Sequence, residues 1–158
     1  MKKRLLAFLI EQLEKDHLAA IEAAKATYDA ATNEESKPEN EYDTRGLEAS
    51  YLAGAQAKRV ADIEELIYIC KHLDLQDFNE DTPIAAGAFV ELDLNNKKSC
   101  VFLIPKAGGQ SLKFENQSIL VITPSSPLGE ALIGLKVGEG AVVDLGNQTR
   151  EYEVISVR

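Results

Sequence analysis

The residues whose types and spacing suggest chemistry are five carboxylates close to one turn of the chain: Glu34, Glu35, Glu39, Glu41 and Asp43. Lys37 and Arg45 lie among them, and Pro38 is unfavourable for a helix that would continue through the segment. Carboxylate oxygens are the ligands that Mg²⁺ prefers, so the cluster is suited to sharing a Mg²⁺ ion with a second site. The alternative is an acidic, solvated connector, and composition alone leaves both interpretations open.

Other candidate groups are few. The sequence has no nucleophile motif, phosphate-binding glycine loop or zinc-ligand spacing. If the chain folds back near residue 40, paired positions sum to about 80, which places His17 opposite Ile63 and His72 opposite Phe8. The two histidines would then lie about 14 Å apart along the helix axis, too far to share a metal. We expect His17 to be a seam or flank residue.

The segments on either side of the acidic residues have the periodicity of helices. Apolar residues recur every three or four positions from Lys2 to Ala31 and again from Leu47 to Leu73. The predicted apolar faces are Leu6, Leu9, Leu13, Ala20, Ala24, Tyr28 and Ala31, then Leu52, Arg59, Ile63, Leu66, Cys70 and Leu73, with Tyr51 on a flank. Two long helices joined by a short polar turn predict an antiparallel hairpin with its tip at about residues 33–46.

After Asp74 the periodicity changes to that of strands. Val90, Leu92 and Leu94 alternate with polar neighbours up to a turn at Asn95-Asn96. Further strands are predicted at 99–105, 118–122, 141–145 and 151–157, with a short helix at 126–133 that starts with Pro127 and stops at Gly134. The sequence therefore predicts an α+β fold: a hairpin over residues 1–75, a linker over 76–83, and a small antiparallel sheet with one short helix over 84–158.

Composition narrows the class of partner. The 158 residues carry a formal net charge of −9, so the chain lacks the basic field that grips duplex nucleic acid. No apolar run approaches the roughly 20 residues that span a bilayer, and the basic, apolar N-terminus continues into a helix pattern, unlike a signal peptide. Cys70 and Cys100 are expected to be buried thiols in a reducing compartment. These features predict a soluble, cytoplasmic protein.

The last third of the chain holds a long ordered motif, ITPSSPLGEALIGLKVGEGAVVDLGNQTREYEVISV (122–157), with an S-P-L-x-x-A-L-x-G-x-x-V-G core followed by R-E-Y-E-V-I. With this motif the chain resembles the Gre family of bacterial transcript-cleavage factors. E-N-E-Y at 39–42 is similar to the tip of the family's helical finger. The resemblance implies an antiparallel coiled-coil finger on an FKBP-like globular domain.

The resemblance also implies a mechanism. Gre factors dock at the rim of the RNA polymerase secondary channel, and Ser126, Pro127 and Leu128 match the docking loop. Two acidic residues at the finger tip then help to hold the second Mg²⁺ and its attacking water, so that the polymerase cleaves its own backtracked RNA. Glu39 matches the glutamate of that pair. Such a factor is not itself an enzyme, has no cofactor or stably bound metal of its own, and needs no independent contact with DNA or a membrane.

Ser36 stands where the family has its tip aspartate. Glu34, Glu35, Glu41 or Asp43 could supply the missing charge from different positions. Lys37 and Arg45 could steer the RNA end or merely balance local charge. The substitution leaves two hypotheses, a cleavage-stimulating factor and a related regulator that occupies the channel without cleavage. An FKBP-like prolyl isomerase and a purely structural interaction module are further alternatives.

Overall fold

The computed structural model describes residues 1–33, 37–42, 44–106 and 108–158. The elements in chain order are α1 (Lys2–Thr32), α2 (Arg45–Lys71), β1 (Phe89–Leu94), β2 (Lys97–Leu103), β3 (Ser111–Phe114), β4 (Gln117–Ile122), α3 (Pro127–Leu132), β5 (Gly140–Asp144) and β6 (Thr149–Val157). Contacts divide the chain into two compact units, Ile10–Tyr68 and Met1–Leu9 with Ile69–Arg158. The start of α1 thus belongs with the sheet, and the predicted linker at 76–83 stays a prediction.

The two long helices, α1 and α2, confirm the prediction made from the periodicity of apolar residues. Their facing positions are buried or half-buried at intervals of three and four: Leu13, His17, Ala20, Ala24, Thr27 and Ala31 on α1, and Ala49, Ala53, Gln56, Val60, Ile63 and Ile67 on α2. Alanine dominates this seam beyond Leu13, so the helices bury little apolar area there. The part of the seam beyond Leu13 therefore contributes little hydrophobic stabilisation.

Three residues predicted on the apolar faces of the hairpin and one predicted on a flank are exposed. The three are Tyr28, Leu52 and Arg59, and the flank residue is Tyr51. Ile63 faces the seam, and the helical repeat of 3.6 residues places Ala53 and Val60 on the same face of α2. Leu52 and Arg59 stand one position before these two residues, and a rotation of 100° per residue turns them outward. The prediction assigned the larger side chains Leu52 and Arg59 to the seam, whereas their smaller neighbours Ala53 and Val60 lie there.

The sheet has six strands in the order β3-β4-β2-β1-β6-β5. The predicted fold class is confirmed with one difference, because β2 and β4 run parallel while the other neighbours are antiparallel. β3 was not predicted. Only Leu112 of β3 is buried, whereas β4 buries Ile119, Val121 and Ile122. The more apolar strand takes the inner position beside β2, which leaves β3 at the edge.

Paired residues with positive φ close two hairpins of the sheet. Asn95 and Asn96 have φ of 54° and 63° between β1 and β2, which confirms the predicted turn. Glu115 and Asn116, at 48° and 64°, do the same between β3 and β4. Two successive positive φ values define the tight turn whose twist matches antiparallel strands, and asparagine tolerates that conformation better than most residues.

The first turns of α1 pack against the turn between β3 and β4. The rings of Phe8 and Phe114 lie 5.5 Å apart between centroids, and a guanidinium nitrogen of Arg4 lies 2.7 Å from a carboxylate oxygen of Glu115. Lys2 donates a hydrogen bond to the carbonyl oxygen of Gln76. Aromatic contact, ion pair and hydrogen bond together fix the start of the helix within this unit.

One cluster of the core lies on the face of the sheet under α3. Its buried members include Ile84, Val90, Leu92, Val101, Leu103, Leu132 and Val154. Phe89 and Phe102 are fully buried outside this cluster, and because neighbouring strand residues point to opposite faces, the other face of the sheet is covered as well. Leu132 of α3 is a buried member of this cluster, and Leu128 and Ala131 of the same helix pack against it, so the position of the short helix is set by packing on the sheet. Among the described residues, no helix is both long and apolar enough to cross a membrane.

Candidate functional site

The predicted tip residues lie partly within the described structure. Glu39 and Glu41 are exposed in the turn between α1 and α2, whereas Glu34, Glu35, Ser36 and Asp43 fall outside the described residues. The backbone N–H of Tyr42 donates to the side-chain oxygen of Asn40 at 2.9 Å, which is a local asparagine turn. The described part of this turn, residues 37–42, thus presents the exposed carboxylates of Glu39 and Glu41 before α2 begins.

Arg45, predicted to steer an RNA end, lies beside a tip carboxylate. Its guanidinium nitrogen is 3.6 Å from an oxygen of Glu39, and both side chains are largely exposed. At this distance and exposure the pair is weak, worth about 0–1 kcal/mol. The arrangement favours local charge balance for Arg45, while Lys37 is also exposed in the turn and its predicted steering role stays a prediction.

The predicted docking residues form a compact helix start. The hydroxyl of Ser126 donates to the carbonyl oxygen of Thr123 at 2.7 Å and accepts from the backbone N–H of Gly129 at 3.1 Å. Ser126 is thus the N-cap of α3, and Pro127 follows at the first helical position. Pro127 is exposed and Leu128 is half-buried. The loop holds a small apolar surface in a fixed conformation.

Gly129 is required by this loop for steric reasons. A Cβ at this position would lie 1.8 Å from the carbonyl oxygen of Thr123. No side chain fits at that distance, so the glycine permits the close approach of α3 to the preceding loop. Gly129 is a residue that the prediction did not single out, although it lies within the S-P-L-G run.

The hairpin carries a groove that sequence reasoning missed. It encloses about 780 Å³ on one face of α1 and α2, and its apolar walls include Ile21, Ala24, Tyr28, Ala53, Gly54 and Ala57. Lys25, Asp29, Thr32 and Ser50 contribute polar atoms. The groove exists because α2 has small residues opposite Tyr28. The sequence holds a trace of it in glycine and alanine at positions where larger residues would close the space.

Metal binding by the chain alone has no support in the described residues. Outside 34–36, 43 and 107, no group of three or more histidine, cysteine, aspartate or glutamate side chains could hold an ion. His17, predicted to be a seam or flank residue, is half-buried and lies beside Glu64. Glu39 and Glu41 supply two carboxylates, fewer than the six oxygen ligands that Mg²⁺ takes, so an ion that contacts them would need further ligands.

Comparisons with known proteins agree on the relationship. The family described as transcription elongation factor, GreA/GreB, C-terminal, matches residues 80–158, which is half of the chain. A transcription inhibitor protein named Gfh1 from Thermus thermophilus is 27% identical over 151 residues, covering 94% of this chain and 90% of that protein. A transcription elongation factor GreA from Methylococcus capsulatus is 27% identical over 149 residues, with 92% and 89% coverage.

A second GreA, from Acidiphilium cryptum, is 28% identical over 135 residues, with 85% of this chain and 80% of that protein covered. Among solved structures, Thermus aquaticus Gfh1 aligns with a TM-score of 0.41 at 22% identity, covering 99% and 93% of the two chains. Together with the S-P-L-G helix start and the helical hairpin, the family match establishes that this chain belongs to the GreA/GreB family of transcription elongation factors.

Proposed function

We propose that this chain binds RNA polymerase at the rim of the secondary channel and stimulates cleavage of backtracked RNA by the polymerase. Glu39, exposed in the turn of a helical hairpin in a member of this family, is the observation that carries the proposal. Its carboxylate would help to hold the second Mg²⁺ of the polymerase, with Glu41, Glu35 or Asp43 as the companion acid. The chain itself would perform no reaction and would hold no cofactor.

The start of α3 would supply the docking contact. Ser126 caps the helix through two hydrogen bonds, and this fixes the orientation of the exposed Pro127. A rigid apolar surface loses little conformational entropy on binding, which favours affinity. The order Ser126, Pro127, Leu128 supports a protein partner, because the loop offers no cluster of basic residues for phosphate.

Electrostatics support a metal destination for the hairpin. Residues 10–68 contain 14 acidic and 6 basic side chains, a net charge of −8 out of −9 for the chain. This charge repels RNA phosphates, whereas it is attracted to Mg²⁺ and to basic protein surfaces. Docking through a protein surface would bring the carboxylates to the metal without any need for a basic nucleic-acid site.

A second candidate is a regulator that occupies the channel without stimulating cleavage. Ser36 replaces the tip aspartate of the family, and the guanidinium of Arg45 places positive charge 3.6 Å from the carboxylate of Glu39. The relatives include both a protein named as a transcription inhibitor and proteins named as elongation factors, at equal identity. These observations favour the regulator specifically at the tip and leave the docking proposal unchanged.

The test is RNA cleavage in purified, backtracked RNA polymerase complexes, with binding measured in parallel. Wild-type protein should accelerate cleavage, and Glu39→Ala should lose about tenfold or more of that stimulation with unchanged affinity. Asp43→Ala tests the companion acid. Glu22→Ala removes an acid from the shaft of α1 and should have no effect.

The outcomes separate the candidates. Binding without cleavage by the wild-type protein would contradict the stimulating role and support the regulator. Competition with a cleavage-active Gre factor for the polymerase would then be expected. Failure of the wild-type protein to bind polymerase would contradict both candidates.

A further inference from the structure

One wall of the groove on the hairpin contains a glycine, Gly54, for which no contact among the described residues gives a reason. Gly54 lies in the interior of α2, and glycine is the least favourable residue there after proline. A Cβ at Gly54 would contact no neighbouring group within 4 Å, so no crowding requires the glycine. Its φ is also not positive, because it is absent from the glycines with left-handed backbone. The missing side chain leaves open space beside the helix.

The opposite wall presents an aromatic ring to solvent. Tyr28 lines the groove and is 62% exposed. Ile21 and Ala24 extend this wall along α1, whereas Ala53 and Ala57 flank Gly54 on α2. Tyrosine is enriched among the residues that contribute most binding energy at protein interfaces, because a rigid ring contributes large contact area at low entropy cost. Tyr28, beside a concave apolar surface, has this character.

Charge restricts what can cover the groove. The net charge of −8 over residues 10–68 opposes contact with a second, equally acidic hairpin. The same charge attracts a partner whose apolar side chain is flanked by lysine or arginine. A basic segment of a protein partner is therefore the occupant that the electrostatics favour over a second copy of this chain.

We propose that the Tyr28–Gly54 groove receives an apolar side chain from a segment of RNA polymerase with basic flanking residues. This inference rests on the proposed polymerase binding and adds a contact on the shaft of the hairpin, apart from the acidic turn and from α3. The open space beside Gly54 admits the side chain, and the Tyr28 ring covers it. The acidic hairpin provides the complementary charge around that contact.

The experiment measures the affinity of the full chain for purified core RNA polymerase. Gly54→Trp fills the groove and should weaken binding about tenfold or more, whereas Ala55→Trp places the same bulk on an exposed neighbouring position outside the groove and should leave affinity within about twofold. Circular dichroism and thermal melting of both variants establish that the hairpin is folded.

A second pair of variants tests the same contact by truncation. Tyr28→Ala should weaken binding about tenfold, while Tyr51→Ala, which removes a tyrosine that is 72% exposed and outside the groove, should not. Both tyrosines are exposed, so their removal leaves the hairpin fold intact. This pair decides the matter if tryptophan at position 54 disrupts the helix.

Wild-type affinity should also fall as salt rises from about 50 mM to about 300 mM, because screening weakens attraction to a basic segment. Normal binding by Gly54→Trp and Tyr28→Ala would overturn the groove contact while leaving the proposed function in place. Salt-independent affinity would overturn the basic character of the partner segment. If wild-type protein fails to bind polymerase, the proposed function falls and this inference falls with it.

Discussion

His17 and Glu64 meet across the two long helices, with Nε2 of His17 2.9 Å from a carboxylate oxygen of Glu64. The two residues are 47 positions apart, and their numbers sum to 81, which confirms the antiparallel register of about 80 predicted from the position of the turn. The pair is a polar contact in a seam made mostly of alanine. It therefore specifies which residues of α1 and α2 face each other more than it adds stability.

We expect His17→Ala to lower the free energy of unfolding by about 0.5–1 kcal/mol, because the contact is half-buried on the histidine side only. Glu64→Gln should cost a similar amount. A double-mutant cycle from urea denaturation, followed by circular dichroism, measures the coupling between the two side chains. Fully additive effects of the two substitutions would show that the contact contributes nothing.

Gly54→Ala should raise the free energy of unfolding by up to about 1 kcal/mol, since alanine is the better helix former and its Cβ meets open space. Ala55→Gly is the matched control and should lower stability by a similar amount. Thermal melting of the three proteins gives the comparison. A destabilised Gly54→Ala protein would indicate that the groove is closed in solution.

Gly129→Ala should be strongly destabilising, by about 3 kcal/mol or more, because its Cβ would overlap the carbonyl oxygen of Thr123. Gly134→Ala is the control for backbone strain alone. That residue has φ of 84° with no neighbour within 4 Å, so it should cost only about 1 kcal/mol. Equal melting temperatures for the two variants would contradict the steric account of the S-P-L-G loop.

The two cysteines should differ in reactivity. Burial raises the pKa of the Cys70 thiol from 9.0 to about 11, and the side chain is only 1% exposed. Partial burial also raises the pKa of Cys100, helped by Glu91 and opposed by Arg158. Labelling with a thiol-specific disulfide reagent at pH 8, with Cys70→Ser and Cys100→Ser proteins, should modify Cys100 well before Cys70. Faster labelling of Cys70 would contradict the burial.

Cys70 should also make stability depend on pH in the alkaline range. The unfolded thiol ionises near 9 while the folded one remains neutral to about 11, so its contribution is complete below pH 9 and is lost as pH rises toward 11. The loss is on the order of 2 kcal/mol. Urea denaturation at pH 8 and pH 10.5 should show a smaller pH effect in Cys70→Ala than in wild type.

The fold was predictable where local chemistry determines structure. Helix periodicity located α1 and α2, the Asn95-Asn96 pair located a turn, and Ser126 with Pro127 located the start of α3. β3 escaped prediction because four residues with one buried side chain carry little pattern. The parallel pairing of β2 and β4 depends on competition between strands for the inner position, which no local segment encodes.

The candidate site was less predictable for a different reason. Exposed acids such as Glu39 can be located from composition, whereas the pairing of Arg45 with Glu39 requires coordinates. The groove is defined by side chains that are absent, and small residues at a helix surface have no distinctive pattern. Tyr28 was predicted on the buried face of α1, because large apolar side chains dominate the search for such a face, yet it is exposed.

The position of β6 between β1 and β5 has a consequence for the order of folding. The pairs that join β1 to β6 run from Asp93 with Glu153 to Val90 with Val157, so the shortest closes a loop of 60 residues. Helices joined by a short turn can zip outward from that turn, one helical turn at a time. The hairpins β1-β2, β3-β4 and β5-β6 can form in the same way, but β6 joins β1 only through this long-range pairing. Assembly of the full sheet therefore waits for a closure over 60 residues, which should make the sheet the slower-forming part of the protein.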